Sequence, residues 1–309
     1  FSNPIGLAAG LDKDGEVFDQ LSSFGPGFIE AGTLTLRPQP GNPRPRVFRL
    51  KKHNAVINRY GFNNKGIIKG LDHLAKRRNN SVILGVNIGI NKDTETPAED
   101  YLECLTKAKK IADYVTINIS SPNTPGLRSF QQADKLEELL NPLVRFALSD
   151  KDEAQPLPLL LKIAPDLAGK DINDIVEVAV SSGISGIIVS NTTVSRPPNL
   201  TDINKNEVGG LSGVPLFELS TKKLAQTFLA AKKRIPIIGV GGVENSETAY
   251  SKIKAGASLL QLYTALTYKG PQLFSEINKG LSKSLKNDNL KHISEAVGID
   301  AESWASKEV

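Results

Sequence analysis

The sequence is poor in residues that crosslink a chain or bind metal ions. Its 309 residues include one cysteine, Cys104, and three histidines. A single cysteine excludes an internal disulfide and a dithiol redox pair. His53, His73 and His292 lie far apart, without the spacing of a zinc site, so we expect no metal. No run approaches the roughly 18 apolar residues of a membrane span, and no signal-peptide pattern opens the chain.

Positive charge is present but is not organised for nucleic acid. The net charge is +5, and basic residues form short clusters at residues 76–78, 107–110 and 232–234, where we expect helices. No basic stripe is interleaved with aromatic residues, as it would be on a nucleic-acid surface. Solvated helix faces explain the clusters better, so we expect no nucleic-acid partner.

Eight apolar segments alternate with amphipathic stretches and predict the fold. This alternation indicates parallel strands joined by crossover helices, and eight units predict an α/β fold, a (β/α)8 TIM barrel formed by residues 1–309 as a single domain. An open doubly wound sheet is the alternative, but residues 8–15 and 239–244 lack the G-x-G-x-x-G pattern of its nucleotide site. The segments are residues 4–10, 27–33, 82–88, 114–118, 159–163, 186–191, 235–240 and 258–263.

Two connections are too long to be simple crossovers. Residues 34–81 and 192–213 are rich in proline, glycine and asparagine, and long loops inside a compact barrel are usually functional. We expect both to extend over the C-terminal face of the barrel. The tail from about residue 286 is expected to form a closing helix, anchored by Trp304.

Neutral hydrogen-bonding side chains collect where the predicted strands end. Residues 113–128 begin as a strand and break into a turn that carries Asn118, Ser121 and Asn123. Asn58, Asn87 and Asn191 also lie at or near strand ends. An amide carries a donor beside an acceptor, which suits a flat heterocycle such as a pyrimidine or the edge of a flavin. The alternative is that each asparagine is a turn residue. No carboxylate pair occurs at these ends, which argues against glycoside-type hydrolysis.

Two lysines and a late group of glycines indicate an anionic ligand. Lys162 lies inside an apolar strand, where a lysine is rarely buried without a partner, and it would face a ligand that gains negative charge, such as a reduced flavin. A lysine that reaches the surface is the alternative. Lys13 would suit an anionic substrate group, or it is a surface lysine at a helix start. Residues 241–242 and 263–264 fall at the phosphate position of such barrels and favour a monophosphate cofactor.

Together these motifs resemble the dihydroorotate dehydrogenase family, specifically its membrane-associated, quinone-dependent class. The resemblance covers nearly the whole chain. It is carried by NPIGLAAGLDK at 3–13, GNPRPRVFR at 41–49, INRYGFNN at 57–64, NISSPNTPGLR at 118–128, KIAPD at 162–166, SNTT at 190–193, GGLSG at 209–213, GVGG at 239–242 and QLYT at 261–264.

The resemblance implies an FMN enzyme of pyrimidine biosynthesis. It would oxidise dihydroorotate to orotate and pass the electrons to ubiquinone. Ser121 matches the base that removes the C5 proton while the C6 hydride goes to flavin N5. The cytosolic class of the family has cysteine at this position, so Ser121 indicates the quinone class. We also expect the turn from residue 122 to residue 128 to close over Ser121.

The resemblance also implies three sets of contacts. Substrate contacts match Lys13, Asn58, Tyr60, Gly61, Phe62, Asn118, Asn123, Asn191 and Thr192. Residues near the quinone tunnel match Arg49, Tyr263 and Thr267. FMN contacts match Ala8, Ala9, Gly10, Lys13, Gly32, Thr33, Asn87, Asn118, Lys162, Ser190, Asn191, Ser212, Gly213, Gly241, Gly242, Leu262, Tyr263 and Thr264.

The resemblance also predicts a cellular location, and two alternative functions stay open. The resemblance implies peripheral association with the mitochondrial inner membrane, through N-terminal helices of the family that are absent from this chain. One alternative is a different FMN barrel acting on a pyrimidine, such as the cytosolic dihydroorotate enzyme or a tRNA dihydrouridine synthase, which a cysteine at position 121 would indicate. Another is a degenerate barrel that only binds a ligand, which predicts losses among Ser121, Lys162 and Asn118; all three are present.

Overall fold

The computed structural model describes residues 1–149 and 156–309. Within these residues it contains eleven strands and eleven α-helices. The strands are β1 (Ile5–Leu7), β2 (Phe28–Leu34), β3 (Val47–Leu50), β4 (Ala55–Asn58), β5 (Ile83–Ile88), β6 (Tyr114–Asn118), β7 (Leu159–Ile163), β8 (Gly186–Val189), β9 (Gly210–Gly213), β10 (Ile237–Val240) and β11 (Leu259–Leu262).

The helices lie mainly between the barrel strands. They are α1 (Phe18–Ser22), α2 (Ile67–Leu74), α3 (Pro97–Ala108), α4 (Ala133–Leu148), α5 (Gly169–Ser182), α6 (Phe217–Ala231), α7 (Ser246–Lys254), α8 (Leu266–Lys269), α9 (Leu273–Asn287), α10 (Ile293–Ala296) and α11 (Ala301–Ser306). Short 3₁₀ turns occupy Lys51–His53, Leu127–Gln131 and Val214–Leu216. No helix of the described residues is long and apolar enough to cross a membrane.

Eight parallel strands close into a barrel and confirm the predicted fold. Their order around the barrel is β1, β11, β10, β8, β7, β6, β5 and β2, so each strand pairs with the next barrel strand of the chain and β1 pairs with β11. Each of the eight expected apolar segments overlaps one of these strands, and seven contain it whole; β2 extends one residue beyond segment 27–33. The strands are buried because helices cover the outside and side chains fill the inside, which explains their nearly continuous apolar sequences.

Aromatic rings plug the lower part of the barrel. Phe28 and Tyr114 meet edge to face, with ring centroids 6.5 Å apart. Gly85 makes room for the second ring, since a Cβ at this position would lie 2.1 Å from the Tyr114 ring. Because the lower interior is filled in this way, the space inside the barrel is left open towards the carboxyl ends of the strands.

The two long connections form an antiparallel sheet that the sequence did not predict. β3 and β4 come from the first connection and β9 from the second, in the order β3, β4, β9. Tyr268, in α8, donates a hydrogen bond of 2.7 Å to the carbonyl of Ala55, and Thr264 donates one of 2.9 Å to the Ser212 hydroxyl. These bonds fasten the sheet to the barrel segment that follows β11.

Two smaller expectations are wrong. The basic clusters lie at or just beyond the C-terminal ends of α2, α3 and α6 rather than along helices, and Arg77 and Arg234 donate to carbonyls of the last turns of α2 and α6. Positive charge at this end complements the helix dipole. The tail forms two short helices, α10 and α11, instead of one. Trp304 of α11 does anchor it, packing edge to face on Phe217 with centroids 5.8 Å apart.

Candidate active site

A deep pocket opens at the carboxyl ends of the barrel strands, beneath the three-stranded sheet. It brings together almost every residue that the resemblance assigns to a site. These are Ala8, Ala9, Gly10, Lys13, Thr33, Arg49, Asn58, Tyr60, Gly61, Phe62, Asn118, Ser121, Asn123, Lys162, Ser190, Asn191, Thr192, Ser212, Gly213, Gly241, Gly242, Leu262, Tyr263, Thr264 and Thr267.

Gly32 and Asn87 are the two assigned residues that do not line this pocket. Gly32 has a positive φ of 105° and packs on the backbone of Asn87, whose oxygen a Cβ would approach to 2.4 Å. Asn87 is fully buried, and its side-chain oxygen accepts hydrogen bonds from Thr33, at 2.6 Å, and from Asn118, at 3.1 Å. Both residues therefore support the pocket wall from behind, and Asn87 orients Asn118.

Ser121 lies at the end of β6, where the chain turns away from the barrel. Its side chain is nearly buried, and its Oγ accepts a hydrogen bond of 3.2 Å from the Asn123 backbone N–H. Within the described residues, no histidine or carboxylate contacts this hydroxyl. The preceding residue, Ser120, joins two assigned amides, because it donates to Asn118 at 2.9 Å and accepts from Asn191 at 3.0 Å.

Arg128 holds the far end of the turn that follows Ser121. Its guanidinium donates to the Ser120 carbonyl at 3.0 Å, the Thr192 carbonyl at 3.0 Å and the Asp166 carboxylate at 2.8 Å. Asp166 also accepts from the Thr193 hydroxyl. The chain segments that follow β6, β7 and β8 are thereby tied together at the rim, so in this structure the turn is already anchored close to Ser121.

Lys162 is a buried cation with an unpaired ammonium group. Its side chain is 5% exposed, and its Nζ makes no hydrogen bond or salt bridge within the described residues. Burial lowers the pKa of Lys162, while the negative charge of Glu30 acts in the opposite direction. A buried ammonium that faces an open pocket is arranged to meet an electron-rich ligand.

Glu30 is a buried residue that our sequence reasoning missed. It lies in β2 and accepts hydrogen bonds from four side chains: Asn87 at 2.7 Å, Gln261 at 2.8 Å, Thr116 at 3.1 Å and Tyr114 at 3.2 Å. Gln261 uses its amide N–H for Glu30, and the Oε1 of Gln261 is buried without a hydrogen-bond partner within the described residues. Gln261 also lines the pocket, so this oxygen is available to a ligand. A glutamate inside an apolar strand was the available signal.

Glycines form a cradle beside the start of α6. Gly213, Gly241 and Gly242 have positive φ angles of 94°, 102° and 73°. A Cβ at Gly242 would lie 2.6 Å from the Phe217 Cα, and one at Gly213 would lie 2.2 Å from the Asn54 carbonyl oxygen. Only glycine allows these close approaches, and backbone that lines a pocket beside a helix N-terminus suits a phosphate.

The residues expected near a quinone line the same pocket. Arg49 of β3 and Thr267 of α8 are among its lining residues, together with Val47, Val56 and Tyr268, which were not predicted. Tyr263 donates a hydrogen bond of 3.0 Å to the Gly10 carbonyl and so connects the pocket to the loop after β1.

Fold and site together define a class of protein. It is a (β/α)8-barrel protein whose mouth combines a rim of uncharged amides, a buried lysine and a glycine cradle, which suits a flat ligand with a polar edge and an anionic group. The family profile described as dihydroorotate dehydrogenase matches residues 1–285. The chain belongs to the dihydroorotate dehydrogenase family, as the resemblance implied.

Individual relatives and solved structures are closely similar. The chain is 50% identical over 300 residues to dihydroorotate dehydrogenase (quinone) of Parvibaculum lavamentivorans, covering 97% of this chain and 84% of that protein. A protein of the same name from Brucella anthropi is 49% identical over 311 residues, covering 100% of this chain and 85% of its own. The crystal structure of DHODH from Eimeria tenella in complex with ferulenol has a TM-score of 0.92 and 38% identity, over 96% of this chain and 85% of that one.

Proposed function

We propose that the chain is a quinone-dependent dihydroorotate dehydrogenase, which oxidises dihydroorotate to orotate in pyrimidine biosynthesis and passes the electrons through FMN to ubiquinone. The observation that carries this proposal is the meeting of the Ser121 hydroxyl, the side chains of Asn58, Asn118, Asn123 and Asn191, and the unpaired Lys162 ammonium in one pocket. The names of the relatives support it.

The residues present fit FMN. The unpaired Lys162 ammonium and the orphaned Oε1 of Gln261 offer a cation and an acceptor to a flavin ring edge, and the cradle of Gly213, Gly241 and Gly242 offers backbone N–H groups to a phosphate. Thr33, Ser190 and Thr264 line the space between these ends. When bound, FMN supplies an acceptor for the hydride that leaves the C6 position of dihydroorotate.

Substrate binding is proposed for the part of the pocket beside Ser121. Asn58, Asn123, Asn191 and Thr192 would bind the polar edge of the pyrimidine, and Lys13 its carboxylate. Asn123 donates to the Asn58 backbone at 3.2 Å, which fixes the rim before the ligand arrives. The Ser121 oxygen would take the C5 proton while its own hydroxyl proton passes to a water molecule. A free serine hydroxyl is a weak base, so this transfer has to be assisted by the departure of the C6 hydride.

The cysteine-dependent alternatives have less support. The single cysteine, Cys104, lies in α3 within the hydrophobic core and not in the pocket. Burial and the nearby acidic groups raise the pKa of its thiol to about 12. This thiol therefore cannot replace Ser121 as the base in a cytosolic-type enzyme or a tRNA dihydrouridine synthase.

Membrane contact is proposed because ubiquinone is lipid-soluble. The part of the pocket around Arg49, Val56 and Thr267 would then be the route by which the quinone enters. Peripheral association through an N-terminal segment stays a prediction. So does the mitochondrial inner membrane, which the bacterial relatives reported above do not support. We also propose that residues 1–309 act as one catalytic domain.

The choice of electron acceptor tests the proposed class. We expect dihydroorotate oxidation with a short-chain ubiquinone analogue in detergent to be at least about tenfold faster than with fumarate or NAD⁺ at equal concentration. Orotate formation, followed by its ultraviolet absorption, is the measurement. Faster turnover with fumarate or NAD⁺ would contradict the quinone-dependent function.

Lys13 makes substrate binding depend on pH. Burial, together with the nearby Arg46 guanidinium, lowers its pKa to about 8, and its Nζ lies 4.5 Å from the centroid of the Tyr60 ring. The protonated form binds a carboxylate, so binding is complete below this pKa and is lost as the pH rises through about 8. We expect kcat/KM for dihydroorotate to fall above about pH 8. In Lys13→Gln it should be low at every pH; an unchanged alkaline limb in this variant would exclude Lys13 as the titrating group.

A further inference from the structure

Lys252 is a second buried lysine, and the site described above does not use it. It lies in α7, and its side chain is 0% exposed. Its Nζ donates hydrogen bonds of 2.8 Å to the Ser220 hydroxyl and 2.9 Å to the Thr221 hydroxyl, and lies 5.2 Å from the centroid of the Phe217 ring. Within the described residues, no carboxylate forms a salt bridge with it.

A buried ammonium without a counter-ion is costly. Two neutral hydroxyls and an aromatic face satisfy the donors of Lys252 but leave its net charge uncompensated. Burial alone accordingly lowers the pKa of Lys252 well below its ordinary value. An anion close to this position would stabilise the charged form of Lys252, and the adjoining pocket wall is a place where a ligand anion could lie.

A chain of two hydrogen bonds connects the Lys252 ammonium to the pocket wall. Ser220, which accepts from Lys252, donates to the Gly241 carbonyl at 3.1 Å. Gly241 lines the pocket as part of the glycine cradle, and a Cβ there would come within 2.8 Å of the Ser220 oxygen. Lys252 therefore lies directly behind the part of the pocket to which we assign a phosphate.

The charges around the cradle leave room for an anion. Glu244 is the acidic residue that lines the pocket here, and Lys269 neutralises it with a salt bridge of 3.3 Å and a hydrogen bond of 2.9 Å to its carbonyl. With that pair balanced, the positive charge of Lys252 and the N-terminal end of α6 both favour negative charge at the cradle.

We propose that Lys252 is a positioning residue for the phosphate of the flavin: its buried ammonium balances the phosphate charge through Ser220 and the Gly241 backbone without touching the ligand. The inference rests on the proposed function, because it takes the cradle to be the FMN phosphate site. A phosphomonoester carries nearly two negative charges at neutral pH. Its Coulomb attraction to the Lys252 ammonium is strong because the protein between them has a low dielectric constant.

Comparison of FMN with riboflavin, which lacks the phosphate, tests this role. The full chain is stripped of flavin, and each flavin is titrated while quenching of its fluorescence is followed. In Lys252→Met we expect the Kd for FMN to rise about tenfold and the Kd for riboflavin to stay within about twofold of the wild-type value. Lys252→Gln, which keeps an N–H donor for the two hydroxyls, should behave in the same way and serves if the methionine variant does not fold.

Thr221→Val is the matched control. It removes the other hydroxyl that Lys252 contacts but keeps the ammonium, so the ratio of the two Kd values should stay at the wild-type value. Equal weakening of FMN and riboflavin in the Lys252 variants would show a purely structural role and overturn the inference, and so would unchanged FMN affinity. If the wild-type protein bound neither flavin, the proposed function itself would fail, which is a distinguishable result.

Discussion

Ser121→Ala is expected to slow the bleaching of bound flavin by dihydroorotate by about 10²- to 10⁴-fold, the usual contribution of a general base. The variant should still bind FMN, because within the described residues the Ser121 hydroxyl hydrogen-bonds only with the Asn123 backbone N–H and lies in the part of the pocket assigned to the pyrimidine. Loss of the hydroxyl leaves no other proton acceptor in contact with this position within the described residues. Anaerobic stopped-flow absorption of the flavin measures the rate.

Ser129→Ala is the control for that experiment. Ser129 follows on the same stretch of chain, its hydroxyl donates to the Gly126 carbonyl at 2.7 Å, and it does not line the pocket. We expect this variant to bleach at the wild-type rate. If Ser121→Ala also bleached at that rate, the serine would not be the base, and the preference for the quinone-dependent class that rests on it would lose its physical reason.

Lys162→Met is expected to have the second large effect. Methionine is close to lysine in length and flexibility but removes the positive charge that β7 places at this part of the pocket. Preorganised groups that stabilise developing negative charge typically contribute about 10²- to 10³-fold in rate. We therefore expect the rate of flavin bleaching to fall by that factor, together with weaker FMN binding. Both follow from the same titration and stopped-flow measurements.

Glu30 complicates the interpretation of that variant and supplies a check. Without Lys162, the buried Glu30 carboxylate keeps four hydrogen-bond donors but loses its opposing charge, which destabilises the fold. Adding Glu30→Gln removes the uncompensated charge but places an amide N–H among these donors, so it should recover part of the lost thermal midpoint of unfolding without restoring the bleaching rate. The exposed Lys170→Met, at the start of α5, should change neither quantity. A Lys162→Met protein with full bleaching rate would contradict the assigned role of the ammonium.

The barrel was predictable because each strand is buried on both faces. Such strands read as continuous apolar segments, and all eight were found within a few residues of their ends. The sheet of β3, β4 and β9 was not predictable in the same way. Its strands have only four residues each, and they include Arg49, Asn58 and Ser212, so their sequences resemble turns until the rest of the protein brings them together.

Of the buried charged residues Lys162, Glu30 and Lys252, only Lys162 was predicted from the sequence. A lysine within the apolar segment 159–163 indicated a pocket residue, and the structure buries it with its ammonium unpaired. The same reasoning applied to Glu30, within segment 27–33, would have found its counter-charge. Lys252 lies on the stripe of α7 that buries Ala249 and Ile253, so helical spacing carried the signal. Arg128 joins segments that lie far apart in the sequence, so no local sequence pattern could predict its three contacts.

Anaerobic addition of dihydroorotate to the purified full chain loaded with FMN tests the central claim most directly. The account predicts that the visible flavin absorption bleaches within seconds and that one orotate appears for each flavin reduced. Oxygen-free addition of a ubiquinone analogue should then restore the absorption. A flavin spectrum that stays unchanged in the presence of excess dihydroorotate, in protein shown to be folded and loaded, would contradict the account.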